Sequence, residues 1–141
     1  MTRMCQPHAA SDVLLLAMDS TQLSPHGGQL PRNPWVVRLL VEQLIAELPD
    51  GQIRETILAL RDPQRGVTNR RLAPVLDQLA ASAFIEPCGS FDNAMWMIAH
   101  RGRTAADALW CEIAPAEAES VRSAAQRATA ILVAWSKTSR P

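Results

Sequence analysis

The chain has 141 residues, a formal net charge of zero from 14 basic and 14 acidic residues, and 48% hydrophobic residues with a mean hydropathy of -0.04. Such a composition fills one globular core with appended segments. Whole-chain neutrality counts against a uniformly basic nucleic-acid binder, so any such activity has to rest on charge gathered locally.

Aromatic residues make up only 4% and there is no Tyr. The core is therefore built from Leu, Ile, Val and Ala, which at helical spacing favours a mostly α protein. Cys5, Cys88 and Cys111 are scattered and odd in number, which excludes a disulfide framework and reads as reduced thiols in a cytoplasmic protein. His8, His26 and His100 add no metal-ligand spacing beyond Cys5 and His8 near the N-terminus. No apolar run approaches the ~20 residues that span a membrane. No cofactor fingerprint and no acid/base or nucleophile constellation is present, so an enzyme is not expected.

Residues 1–32 read as an N-terminal arm and linker. Within them the run Val13–Met18, flanked by Asp12 and Asp19, is a short helix or a buried strand, because periodicity does not separate the two. Pro25, Gly27, Gly28, Pro31 and Pro34 prevent a regular helix across the segment that follows.

Asn33 and Pro34 open a helix as N-cap and first helical residue. Val37, Leu40, Val41, Leu44, Ile45 and Leu48 give it a 3.6-residue apolar stripe, and Pro49-Asp50-Gly51 stops it. A shorter helix is expected from about Ile53 to Arg61, then a turn over residues 62–66. A third helix is expected after Thr68 as N-cap, with Leu72, Val75, Leu76 and Leu79 inward. Asn69, Arg70, Ala73, Pro74 and Asp77 face outward, with Arg71 at the boundary.

Phe84-Ile85 reads as a short strand ending before Pro87, and Cys88–Asn93 as a turn. Ala94–Ala99 alternates as a return strand, with Trp96 and Ile98 on one face and Met95 and Met97 on the other. After Gly102 a helix is expected over Thr104–Trp110. A last helix from about Pro115 to Lys137 sets Ala118, Val121, Ala125, Ala128, Leu132 and Trp135 along one stripe.

The chemistry concentrates at the start of the third helix. Thr68, Asn69, Arg70 and Arg71 place short polar and guanidinium groups where a helix end reaches base edges and phosphates together. Arg65 precedes them, and Arg101 and Arg103 follow the hairpin as further phosphate partners. The hairpin tip, Ser90, Asp92 and Asn93, carries an acid and no base, which opposes close approach to phosphate.

The stretch VTNRRLAPVLDQLAASAFIEP resembles the recognition helix and following strand of winged-helix transcriptional regulators of MarR or PadR type. WMIAHRGRTAADAL is similar to their strand and helix after the wing. Ala99, Gly102 and Arg103 fall on the family's Thr-x-x-Gly-Arg step, with Ala in place of Thr. Three departures stand out. Ala83 replaces a helix-stop Gly, Pro74 lies inside the recognition helix, and there is room for one helix rather than two between the first helix and Thr68.

The resemblance implies a mainly α winged helix-turn-helix with a small β-hairpin at 33–110, plus a C-terminal helix at 111–141 for packing or dimerisation. It implies a homodimeric regulator of double-stranded DNA without cofactor or metal. Arg65, Thr68, Asn69, Arg70, Arg71, Arg101 and Arg103 are then expected on the DNA. Val121, Ala125, Ala128, Leu132 and Trp135 are expected at the dimer interface. The alternative is a winged-helix module that binds a protein partner instead.

Overall fold

The computed structural model describes residues 9–21, 29–90 and 93–138. In chain order the elements are α1 (Ala10–Asp19), β1 (Gln29–Pro31), α2 (Pro34–Glu47), α3 (Gln52–Leu58), β2 (Arg61–Asp62), β3 (Gly66–Val67), α4 (Asn69–Ala81), β4 (Ile85–Ser90), β5 (Asn93–Ile98), α5 (His100–Trp110) and α6 (Pro115–Thr138). The chain is mainly helical with a small antiparallel sheet of order β1-β5-β4 and a separate two-stranded ribbon, β2-β3.

The N-terminal run is a helix. Every residue from Val13 to Met18 is 0% exposed. Burial on all sides removes the apolar period that marks a surface helix. α1 packs against α3, α4, α5 and α6. The expected arm is therefore corrected: residues 10–21 are the middle of the core, and β1 is a strand of the main sheet. The Ser20 hydroxyl donates to Leu16 O at 3.0 Å. Thr21 Oγ1 lies 2.9 Å from Met18 O and 3.0 Å from Gln29 O, tying the end of α1 to β1.

α2 starts as its sequence predicts: Asn33 Oδ1 accepts from Trp35 N at 2.9 Å, with Pro34 in the first turn. Its buried face, with Val37, Leu40, Val41 and Leu44, lies along α6. Small side chains on α6 let the two backbones come close. Val121, Ala124 and Ala125 are 0% exposed and Ala128 is 1%. This corrects the dimer assignment: Val121, Ala125 and Ala128 are spent inside the protomer. The other two members of that set, Leu132 and Trp135, have side chains outside those described. Arg127 Nε meets Glu47 Oε1 at 3.1 Å, and Gln43 Nε2 donates to Glu47 Oε2 at 2.8 Å, clasping the edge of the seam.

α3 ends at Leu58, earlier than expected, and the following segment is the β2-β3 ribbon rather than a plain turn. α4 runs through Pro74 without ending, although Pro74 has no N–H to offer the Arg70 carbonyl. At its C-terminus Ala83 N donates to Ala80 O and Phe84 N to Leu79 O, both at 3.0 Å. That is a Schellman closure, and Ala83 takes the left-handed conformation it needs, at φ 62°.

β4 passes through Pro87 and reaches Ser90. It is an edge strand, where a missing N–H is tolerated. The register runs from Ile85↔Ile98 to Ser90↔Asn93, and the connecting residues 91–92 lie outside those described. α5 begins at His100 and includes Gly102, earlier than expected. The Phe84 carbonyl accepts from Ala99 N at 2.8 Å. A side-chain carbon on Gly102 would run into that same carbonyl and lie 2.9 Å from Ile98 Cγ1.

Two substitutions test this junction. Gly102→Ala is expected to cost about 2–3 kcal/mol, since a backbone carbonyl cannot swing aside as a side-chain end does. Ala83→Gly is expected to gain about 0.5–1 kcal/mol, as relief of left-handed strain outweighs the added freedom of the unfolded chain. Urea unfolding with an unchanged m-value measures both.

Candidate nucleic-acid interface

α4 presents its outer face because Leu72 and Leu79 bury its inner one. Asn69, Arg70, Ala73, Pro74 and Asp77 are exposed, as their spacing predicts. Thr68 uses its hydroxyl as the N-cap, accepting from Arg71 N at 3.4 Å. Arg65, in the turn between β2 and β3, is exposed just before this helix end. Neither Arg65 nor Arg70 has an ion-pair partner among the described residues. The two guanidiniums therefore remain available for a ligand at the N-terminal end of α4.

Arg71 does not join them. Its Nη1 donates to Ala59 O at 3.1 Å and Arg61 O at 3.3 Å, and its Nη2 lies 3.9 Å from Asp62 Oδ2. Unlike Arg65 and Arg70, Arg71 is engaged within the fold, where it braces the ribbon in front of α4. Asp62 Oδ1 accepts from Gln64 N at 2.9 Å and Arg65 N at 3.1 Å. Those backbone N–H groups, led by Gln64 and helped by the Arg71 charge, hold the Asp62 carboxyl below its ordinary value of 3.8. On the other side Glu42 Oε2 accepts from Val67 N at 3.0 Å, and Glu42 Oε1 lies 3.8 Å from Arg61 Nε. Gly66 makes this possible: its φ is 76°, and a Cβ there would sit 2.8 Å from Glu42 Oε2.

Arg101 and Arg103 also lie elsewhere. They stand at the start of α5, beside Phe84 and the C-terminal end of α4. A helix of the length of α4 separates its two ends by about 20 Å. Arg103 Nη1 reaches Asp19 Oδ1 at 3.3 Å. Asp19 Oδ2 accepts from Trp110 Nε1 at 2.9 Å, and Arg122 stacks over that indole at 4.3 Å. Arg103 is thus a tie from α5 to α1, and Arg101 is exposed but remote from Arg65 and Arg70.

Sequence reasoning missed Arg32. Its backbone N donates to Ala94 O at 3.0 Å, extending the β1-β5 pairing by one step. Its guanidinium carbon lies 4.9 Å from the centre of the Trp96 ring. Arg32 lines a crevice of about 150 Å³ with Asn69, Leu72, Leu76 and Trp96. It also lines a cleft of about 600 Å³ with Asn33, Gly89, Ser90 and Ala94. The available signal was its place just before the Asn33 cap, where the chain enters α2. Its strand partner, more than sixty residues away, has no local sign.

Asp92, at the expected hairpin tip, lies outside the described residues. Among the described residues no cluster of three His, Cys, Asp or Glu is placed to hold a metal ion, and no helix is long and apolar enough to cross a membrane. No protein-family model, curated protein or solved structure matches the chain.

The ribbon brace has a pH signature. The lowered Asp62 carboxyl supports the folded ribbon above its ordinary value of 3.8, and that support is lost as pH falls through the still lower folded value. Amide exchange at Gln64 and Arg65, normalised for intrinsic rate, is expected to stay protected at pH 5 and lose protection in stronger acid. Asp62→Ala is expected to lose it at neutral pH as well.

Proposed function

We propose that this chain is a DNA-binding protein that places the N-terminal end of α4 in the major groove, in the manner of a winged helix. One observation supports this above the others. Asn69 and Arg70 are exposed at the first turn of a braced helix, next to Arg65, and among the described residues no ion pair claims either arginine. Asn and Arg are the side chains whose paired hydrogen-bonding groups read adenine and guanine edges. The helix N-terminus favours phosphate as well. The hairpin of β4 and β5 runs back from the C-terminal end of α4, so that Trp96 and Arg32 meet Asn69 in one crevice. That places strand residues beside the reading end of the helix.

The contact is small. Arg65 and Arg70 give one protomer two phosphate- or base-seeking charges, so their share of the salt dependence is a slope of about -2. Val121, Ala125 and Ala128 are buried within the protomer, so a homodimer would have to form through other residues.

A second reading is a module that binds a protein partner. The apolar crevice lined by Val37, Leu72, Leu76 and Trp96 on the same side of the molecule favours it. Fluorescence anisotropy with a labelled random-sequence duplex pool, from about 50 to about 200 mM salt, separates the two. Arg65→Ala with Arg70→Ala is expected to weaken binding roughly a hundredfold, at about tenfold each, and to flatten the slope by about 2. Arg101→Ala is expected to change neither. Unchanged affinity and slope in the double variant would sink the DNA reading.

A further inference from the structure

Between Ile85 and Ile98 the chain carries Glu86 and Asp92 and no Lys or Arg. A hairpin laid beside a DNA groove without a base has no side-chain charge to attract the phosphates it meets. We infer that Arg32, held at the β1-α2 corner, supplies the cation this hairpin lacks and clamps a backbone phosphodiester between the hairpin and α4. The inference rests on the DNA reading above and names a contact which that reading does not include.

Three features of Arg32 carry it. Its backbone is pinned to β5 through Ala94 O, so its position follows that of the hairpin. Its side chain is exposed, yet lies over the Trp96 ring, which itself packs on the core. A guanidinium resting on an aromatic face loses less freedom when it meets an anion than one free in solvent. Finally, Arg32 lines both the crevice that contains Asn69 and the cleft that contains Asn33 and Ser90. It therefore stands where a strand entering alongside α4 passes the hairpin. Among the described residues it has no carboxylate partner. The amide of Asn33 and the hydroxyl of Ser90 provide uncharged hydrogen-bonding groups in the same cleft.

The test uses the full chain and the same labelled duplex pool. Arg32→Ala is expected to weaken binding about tenfold for every duplex alike and to flatten the salt slope by about 1. Arg32→Lys keeps the charge and is expected to restore the slope, with part of the affinity. Because Arg32 is exposed, the thermal midpoints of both variants should match that of the parent chain. If Arg32→Ala leaves affinity and slope unchanged while Arg70→Ala weakens binding, α4 contacts DNA without Arg32 and the inference is overturned alone. If the parent chain does not bind the duplex pool at all, the inference and the DNA reading fall together.

Discussion

The burial of α1 is the constraint on which the rest of the molecule depends. Six consecutive residues, Val13 to Met18, have no exposed surface, and each large side chain among them contributes about 1.5–3 kcal/mol by leaving water. Removing all sides of one helix from solvent requires neighbours on all sides. α3, α4, α5 and α6 supply them. The orientation of α4 follows: Leu72 and Leu79 turn into this core, and Asn69, Arg70 and Asp77 are left outside. The end of α1 is equally restrained, since Asp19 holds both Arg103 and the Trp110 indole.

The second constraint is the Phe84 carbonyl. It accepts a hydrogen bond from Ala99 and lies against Gly102. One oxygen therefore joins the end of α4, the base of the hairpin and the first turn of α5. Ala83 reaches that junction at positive φ, and the strain is tolerated because the Schellman bonds and the packing of Phe84 over-determine the turn. The hairpin thus takes its angle to α4 from backbone geometry rather than from side chains at its tip.

Much of this was legible in the chain itself. The Asn33 and Thr68 caps, the apolar stripes of α2 and α4 and the alternation in β5 all follow from local chemistry. What was not legible shares one physical cause: the deciding partner lies on another element, which no local pattern announces. The run in α1 lacked a period because every side is buried. Pro87 looked like a strand end because its edge position is set by β5 and β1. Arg71 looked like a reader because its acceptors, Ala59 O and Arg61 O, are carbonyls that belong to every sequence. The α6 stripe suited a dimer as well as it suits α2. Its small residues specify close approach, not the identity of the helix that approaches.

The zero net charge takes on a different meaning once the pairs are assigned. Glu42 is engaged by Arg61 and Val67, Asp62 by Arg71 and its own turn, Glu47 by Arg127, and Asp19 by Arg103. Such exposed pairs add little stability, but they remove acids and arginines from the count together. Among the described residues, Arg32, Arg65 and Arg70 have no ion-pair partner around the N-terminal half of α4. The exposed acid on the same helix is Asp77, seven residues beyond Arg70. That is about 10 Å along the axis, close to one Debye length at physiological salt. Asp77 therefore weakens the positive potential at the helix end without cancelling it. A neutral chain can in this way leave arginines unpaired near one helix end, with Asp77 on α4 and Glu86 on β4 as exposed acids on the elements that carry or flank them.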